Sequence, residues 1–445
     1  MSTTAPAARG NRWKTIAAAS IGNFAEWYDW GIYGVVATLL AKEFFPSGND
    51  ALALISVYAL FAISYLTRPL GAAIFGHIGD SIGRRRAMAG TITITCGSTA
   101  LIGCIPSYHA IGIAAPILLL LIRLAQSLGT GGEHSTSTSL VYESTEDGRK
   151  ARAVALLAAG TFLGLLAGSL LATGLSAMLS EHAFEAWGWR VLFWLSLPMG
   201  GIGLYMRRHT DEGEEFTQAK RRQGATTQAP TAPLVEALRT HWARMLLFMG
   251  YLGTWTIVSA VLTSYLATFL QKNDALSSTQ VYAANTFASV VVIICALLFA
   301  PLTDRIGLRN ASVLASILVA VLVLPGFLLA HRGVIWAFTG AGLLGASKGV
   351  LSVPSRLAVS QIFPANIRAT AGGLSYNTAT SLLGGTAPLL AVALNDAFGS
   401  SLVFCSYVIF AALVTLAISL TSVRHWTAES EQAPNEASSD TPAPV

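Results

Sequence analysis

The sequence predicts an all-α integral membrane protein of about twelve spanning helices, arranged as two pseudo-symmetric six-helix bundles. Three observations point there. The 445 residues are 53% hydrophobic and only 11% charged, whereas a soluble domain carries about 25% charge. The apolar residues fall in runs long enough to cross a bilayer, which takes roughly 20 residues as a helix. A hinge pattern, Gly76-His77-Ile78-Gly79-Asp80-Ser81-Ile82-Gly83-Arg84-Arg85-Arg86, also returns in weaker form as Ala300-Pro301-Leu302-Thr303-Asp304-Arg305-Ile306-Gly307-Leu308-Arg309. Each copy puts an acid near the end of one apolar run, then a glycine that permits positive φ, then basic residues opening the next run. Matching hinges in two halves imply a duplicated, parallel bundle.

The runs lie at about 15–41, 54–79, 87–106, 113–140, 152–178, 190–207, 244–270, 278–301, 311–330, 334–362, 371–394 and 401–422. They lack the alternation and the roughly ten-residue length of membrane barrel strands. The N-terminus has Arg9, Arg12 and Lys14 before an apolar run longer than a signal h-region, so the first span is expected to stay in the protein. Most loop cations fall on one side, including Arg84, Arg86, Arg149, Lys150, Arg207, Arg222, Arg305, Arg309, Arg368 and Arg424; Lys42, Arg190, Lys272 and Arg332 fall on the other. The positive-inside rule then expects both termini in the cytoplasm.

Four segments follow: an N-terminal bundle at 1–207, a cytoplasmic linker at 208–243, a C-terminal bundle at 244–423 and a polar tail at 424–445. The linker has the longest charged stretch, from Arg207 to Arg222, followed by Thr- and Pro-rich sequence. The tail reads as disordered. Cys96, Cys104, Cys295 and Cys405 all lie inside apolar runs without metal-ligand spacing, and read as core thiols.

The repeated small-x-x-x-Asp-x-x-Gly-x-Arg hinge resembles the loop signature of the major facilitator superfamily. Further stretches narrow the match: Gly22-Asn23-Phe24-Ala25-Glu26-Trp27-Tyr28-Asp29-Trp30 in span one, Arg68-Pro69-Leu70-Gly71 in span two, and Arg123-Leu124-Ala125-Gln126 through Glu133 in span four. Trp187-Gly188-Trp189-Arg190 opens span six, and Tyr376-Asn377 with Gly384-Gly385-Thr386-Ala387-Pro388 lies in span eleven. Together these look like the metabolite:proton symporter family, whose members include carriers for proline and betaine, α-ketoglutarate, citrate and shikimate. Ser81, Ser127 and Ala151 depart from the family pattern. The resemblance implies alternating access with a proton as coupling ion and no other cofactor. It also implies a small-molecule substrate and the lipid bilayer as partners, no nucleic acid, and a working monomer.

Ionisable groups inside a membrane each cost roughly 2.5–3.5 kcal/mol on insertion scales and face a cavity or a partner. Glu26, Asp29, Arg68, Arg123, Glu133 and Lys348 are such groups. Asn23, Glu26, Trp30 and Tyr33 share roughly one face of span one, with Asp29 one step round. Glu26, Asp29 and Glu133 are the candidate proton carriers; the alternative for Asp29 is a plain ion pair with Arg68 or Arg123. Arg123, Gln126, Thr130 and Glu133 share a face of span four. A guanidinium there can hold a carboxylate bidentately. Lys348 either binds an anionic group or pairs with a carboxylate of another helix. Candidate substrate residues are therefore Asn23, Tyr33, Arg68, Arg123, Gln126, Lys348, Tyr376 and Asn377. Gating candidates are Asp80, Gly83, Arg84, Arg86, Glu143, Arg149, Asp304 and Arg309, with solvated topology charges as the plain alternative. Gly160, Gly164 and Gly168 give span five a small-x-x-x-small stripe for close helix approach.

An enzyme in the membrane would need a nucleophile–base pair or a metal cluster, and the histidines form neither. Gly345-Ala346-Ser347-Lys348-Gly349 matches a hydrolase nucleophile pattern, but that elbow needs a strand-turn-helix context. The expected function is proton-coupled symport of a small carboxylate-bearing metabolite, an organic acid. A betaine or proline zwitterion is the rival substrate, and a uniporter or exporter the rival mode.

Overall fold

The computed structural model describes residues 9–46, 49–71, 74–75, 84–131, 150–208, 238–271, 276–330, 332–363 and 371–423. Among these, helices dominate and no strand occurs. In hydrocarbon, each backbone N–H and C=O needs an internal partner, and a helix supplies it within one segment. Seven helices are long and apolar enough to cross a membrane, with shorter apolar helices beside them.

In chain order the spans are α1 (Arg9–Val35), α2 (Asp50–Gly71), α3 (Arg84–Ile102), α4 (Ala114–Thr130), α5 (Lys150–Met178) and α6 (Ser196–Arg208). The second half has α7 (Trp242–Gln271), α8 (278–306), α9 (308–329), α10 (Val334–Gln361), α11 (Gly373–Phe398) and α12 (Leu402–Thr421). This is the twelve-helix class expected. Several boundaries differ from the expected runs. α1 begins at Arg9 and breaks at Val36, after which Ala37–Phe44 continues as a separate helix. α7 and α11 each contain a π-helical turn, Val261–Tyr265 and Thr380–Gly384, which hydropathy does not register. Pro354 lies inside α10, whose helical assignment is nevertheless continuous from Val334 to Gln361.

Local chemistry sets the ends. Asn49 accepts from the N–H groups of Ala51 and Leu52 at the start of α2, at 2.9 and 3.2 Å. Ser277 and Gln280 form a reciprocal capping box at the start of α8. α8 and α9 run on as one helical stretch whose turn is made by Gly307 alone, at φ 77° and ψ 167°. That is the glycine of the second hinge copy, and an L side chain there would be strained. Gly83 and Asp80 of the first copy lie outside the described residues.

Glycines also set how closely helices approach. A Cβ on Gly164 of α5 would sit 2.2 Å from the Phe24 carbonyl oxygen of α1, and one on Gly168 would meet Ile32 at 3.0 Å. The expected stripe on span five is thus a packing seam inside the first half. Gly345 of α10 lies likewise against the Ala288 carbonyl of α8, at 2.5 Å from a built Cβ. Large apolar side chains such as Leu121, Leu170, Leu298, Val321 and Phe410 point outward and are more than half exposed, as a lipid-facing surface requires. Cys96 and Cys405 are buried, but Cys104 is exposed, so the reading of all four cysteines as core thiols fails at that position. Cys104 lies beyond the last turn of α3, where the chain leaves the bundle.

The halves meet along α1 with α7, α5 with α8 and α10, and α2 with α11. At the end remote from the termini they are sealed. Tyr58 donates to the Ser264 carbonyl at 2.5 Å and shares a bond with Thr268 at 2.8 Å. Asn285 donates to Ser169 at 2.7 Å, and Thr173 and Thr286 lie 3.1 Å apart. A Cβ on Gly34 would collide with the Thr263 carbonyl at 2.0 Å, so α1 and α7 touch backbone to backbone there.

Candidate functional site

Buried charge gathers between the halves. Asp29 of α1 is held on both oxygens: Arg123 Nη1 donates to Oδ2 at 2.9 Å, and Thr99 donates to Oδ1 at 3.1 Å. Arg123 Nη1 also donates to Gln126 Oε1 at 2.5 Å, and Gln126 Nε2 returns to Thr99 at 2.7 Å. The four side chains close a ring that ties α1, α3 and α4 together. The Arg123 guanidinium lies 3.6 Å above the Tyr33 ring, with Phe61 at 5.3 Å. A desolvated cation over an aromatic face gains about 2 kcal/mol. Asp29 and Arg123 are only 2% and 3% exposed. Of the two partners the sequence left open for Asp29, the fold selects Arg123.

Glu26, one turn earlier, takes the other guanidinium. Arg68 Nη2 donates to Glu26 Oε1 at 2.9 Å, and Arg68 lies 4.5 Å from both the Trp30 and Tyr65 rings. A small pocket opens between these two ion pairs, lined by Asp29, Trp30, Tyr65, Arg68, Arg123 and Gln126 among others.

α10 is different. Lys348 is 2% exposed and has no carboxylate within ion-pair distance among the described residues. Its ammonium donates to the Ser259 hydroxyl of α7. Around it stand Trp255 at 3.8 Å, Trp27 at 5.6 Å and Phe162 at 5.8 Å from ring centroids. These rings come from α7, α1 and α5, so both halves build the box. Two turns further on, Arg356 is equally buried and donates through Nη2 to Thr161 of α5 at 3.0 Å. Its Nε and Nη1 have no acceptor among the described residues. Sequence reasoning passed over Arg356. The signal was present: a second cation inside the run 334–362, eight residues after Lys348 and so within about 80° of it around the helix.

The remaining expected residues divide. Tyr376 is buried and packs on Trp255, ring centroids 5.7 Å apart, at the edge of the lysine box. Asn377 instead bridges the halves, donating to the Gly131 carbonyl of the first half at 3.0 Å and to Gly373 at 3.0 Å. Tyr33 has its hydroxyl on the Val57 carbonyl at 3.2 Å and its face under Arg123. Asn23 is buried near the start of this face. Arg309 reaches the last turn of α12, donating to the Leu420 carbonyl at 3.2 Å, and Asp304 is half-buried beside the hinge. Arg84 and Arg86 open α3, with nothing described of their side chains. Glu133, Glu143, Arg149, Asp80 and Gly83 lie outside the described residues.

A buried two-half bundle with charge on its central helices defines a membrane carrier. The sequence profile of the Major Facilitator Superfamily matches residues 19–385 and 271–445. The proline/betaine transporter of Salmonella typhimurium is 33% identical over 414 residues, 91% of this chain and 82% of that protein. A glycine betaine/proline/ectoine/pipecolic acid transporter of Dickeya dadantii is 33% identical over 394 residues, 85% of this chain and 76% of that one. The chain therefore belongs to the major facilitator superfamily and, within it, to the metabolite:proton symporter family. It is a membrane transporter and not an enzyme. Among solved structures, the proton:xylose symporter XylE bound to 6-bromo-6-deoxy-D-glucose superposes with a TM-score of 0.72 at 12% identity, covering 92% of this chain and 95% of that one. At that identity the likeness speaks for the fold alone. These two relatives are named for proline, betaine, ectoine and pipecolic acid.

Proposed function

We propose that this protein is a proton-coupled symporter that takes up a small carboxylate-bearing metabolite by alternating access. The observation that carries this is the inventory of central charge. Two carboxylates on α1 are matched by guanidiniums of α2 and α4, while Lys348 and Arg356 of α10 meet no carboxylate among the described residues. A substrate carboxylate is the group those cations lack. Zwitterions of the kind named for the relatives carry that carboxylate too, and the comparisons favour them as the second reading of the substrate.

Coupling follows from the ring around Asp29. A proton on Asp29 cancels its pairing with Arg123 and releases that guanidinium for the substrate. Proton and carboxylate then favour each other's binding, which is the sign symport requires. Glu26 with Arg68 is the second such pair, and Glu133 the third candidate carrier. In this proposal residues 1–207 and 244–423 are the moving halves, and 208–243 is a cytoplasmic linker. The carrier works as a monomer in a bacterial inner membrane, with both termini in the cytoplasm and no cofactor beyond the proton. The hinge charges around Asp80, Glu143, Arg149 and Asp304 gate the cytoplasmic end.

The test uses proteoliposomes. Asp29→Asn should abolish proton-driven accumulation and keep substrate-for-substrate exchange. Accumulation that survives in Asp29→Asn and still collapses with a protonophore puts the proton elsewhere. A single cysteine at Gly224 that reacts only with reagents outside intact cells would invert the topology.

A further inference from the structure

We infer that Lys348 is a built-in cation that fills the aromatic box at the centre of the carrier, so that the site selects net-anionic carboxylates and turns away quaternary ammonium groups. The inference rests on the carrier reading above and sharpens its substrate class.

An open cage of tryptophan and phenylalanine faces is the usual receptor for a ligand's own onium group. Here Trp27, Trp255 and Phe162 make such a cage, and the Lys348 ammonium already occupies it, over Trp255 at 3.8 Å. Ser259 anchors the ammonium there, and that hydroxyl in turn donates to the Trp255 carbonyl at 2.5 Å. A betaine's onium could enter only by displacing a tethered cation from its rings. Electrostatics argues the same way. Lys348 and Arg356 lie within range to repel one another, and Glu26, the carboxylate that acts on Arg356 through space, is committed to Arg68.

Buried donors beside α10 lack acceptors among the described residues. Arg356 Nε and Nη1 and the Trp27 indole N–H are buried without acceptors. A ligand that satisfies them brings oxygens and negative charge. A zwitterion brings one carboxylate but adds a positive group to a centre where, among the described residues, two carboxylates face four cations. A monocarboxylate with no onium halves that excess of positive charge, and a dicarboxylate balances it. The sequence of relatives named for zwitterions is thus compatible with a different substrate class in this chain, set by one lysine on α10.

The experiment is a ligand-induced thermal-shift titration of the full-length protein in detergent, with counterflow in proteoliposomes beside it. The probes are succinate, citrate, 2-oxoglutarate and shikimate as net anions, and glycine betaine and proline as zwitterions. The wild type should bind at least one anion tenfold or more tighter than either zwitterion. Lys348→Met should weaken that anion at least tenfold and leave zwitterion binding no weaker. Lys348→Ala, which empties the box, should admit glycine betaine, and Lys348→Arg should keep the anion preference and show that the position tolerates change. If zwitterions bind the wild type tighter than every anion, or Lys348→Met weakens both classes alike, the inference falls and the carrier reading stands. If the wild type neither binds nor exchanges any of the six, the carboxylate-carrier reading falls with it.

Discussion

The two halves carry buried charge in opposite ways. In the first half, Arg123 and Arg68 each meet a carboxylate of α1 at 2.9 Å, and each lies over aromatic faces. In the second, Lys348 and Arg356 meet hydroxyls and rings. The first arrangement is self-sufficient: removing one member strands its partner. The second is incomplete: a cation there strands nothing when removed, and it gains most when a ligand arrives. A buried ion already paired within the protein and a buried ion open to a ligand are thus separated by what its deletion leaves behind.

The sharpest way to break this contrast is Arg123→Met. It leaves Asp29 charged and unpaired among α1, α3 and α4, and should cost about 3–5 kcal/mol of stability, read by reversible denaturation in mixed micelles. A loss below about 1 kcal/mol would make the pair no more than a surface-like contact. The double change Asp29→Asn with Arg123→Gln removes both charges together. It should recover most of that loss, giving a coupling energy near the upper end of the ~0.5–3 kcal/mol range for contacting residues.

Packing must be separated from charge, and the glycine seam does so. Gly164→Ala drives a methyl into the Phe24 carbonyl, where a built Cβ lies 2.2 Å away, whereas Gly174 on the same helix has nothing within 4 Å. The first change should destabilise by about 1–3 kcal/mol. The second should fall within about 0.5 kcal/mol of the wild type. Equal effects at both would mean that α1 and α5 are not in backbone contact.

Among the buried charges, the smallest stability effect is expected at Lys348. Lys348→Met removes an unpaired cation, and Ser259 keeps its bond to the Trp255 carbonyl. Stability should change by no more than about 1 kcal/mol, or rise, since replacing a buried charge with an apolar group of like size is often neutral or stabilising. A loss as large as that of Arg123→Met would show that Lys348 is a structural ion, and the contrast between the halves would disappear.

The sequence alone determined the class of fold, because membrane insertion reads single segments: length, apolarity and flanking charge are properties of each run by itself. It also determined the hinge, since the φ of 77° at Gly307 is a local demand that glycine alone meets without strain. It named most of the central ionisable groups, because charge inside an apolar run stands out whatever surrounds it. What only the tertiary structure decided was pairing. Arg68 and Arg123 could each have reached Asp29, and the rotation of α2 and α4 about their own axes assigns one to Glu26 and the other to Asp29. The fold also ties Asn377 of α11 to the Gly131 carbonyl, and it brings Arg356, which the sequence reading passed over, to the centre. The lysine box draws its walls from α1, α5 and α7, through Trp27, Phe162 and Trp255, which lie far apart along the chain. No local pattern encodes such a meeting, because helix rotation and close approach are set by the summed packing of every neighbour.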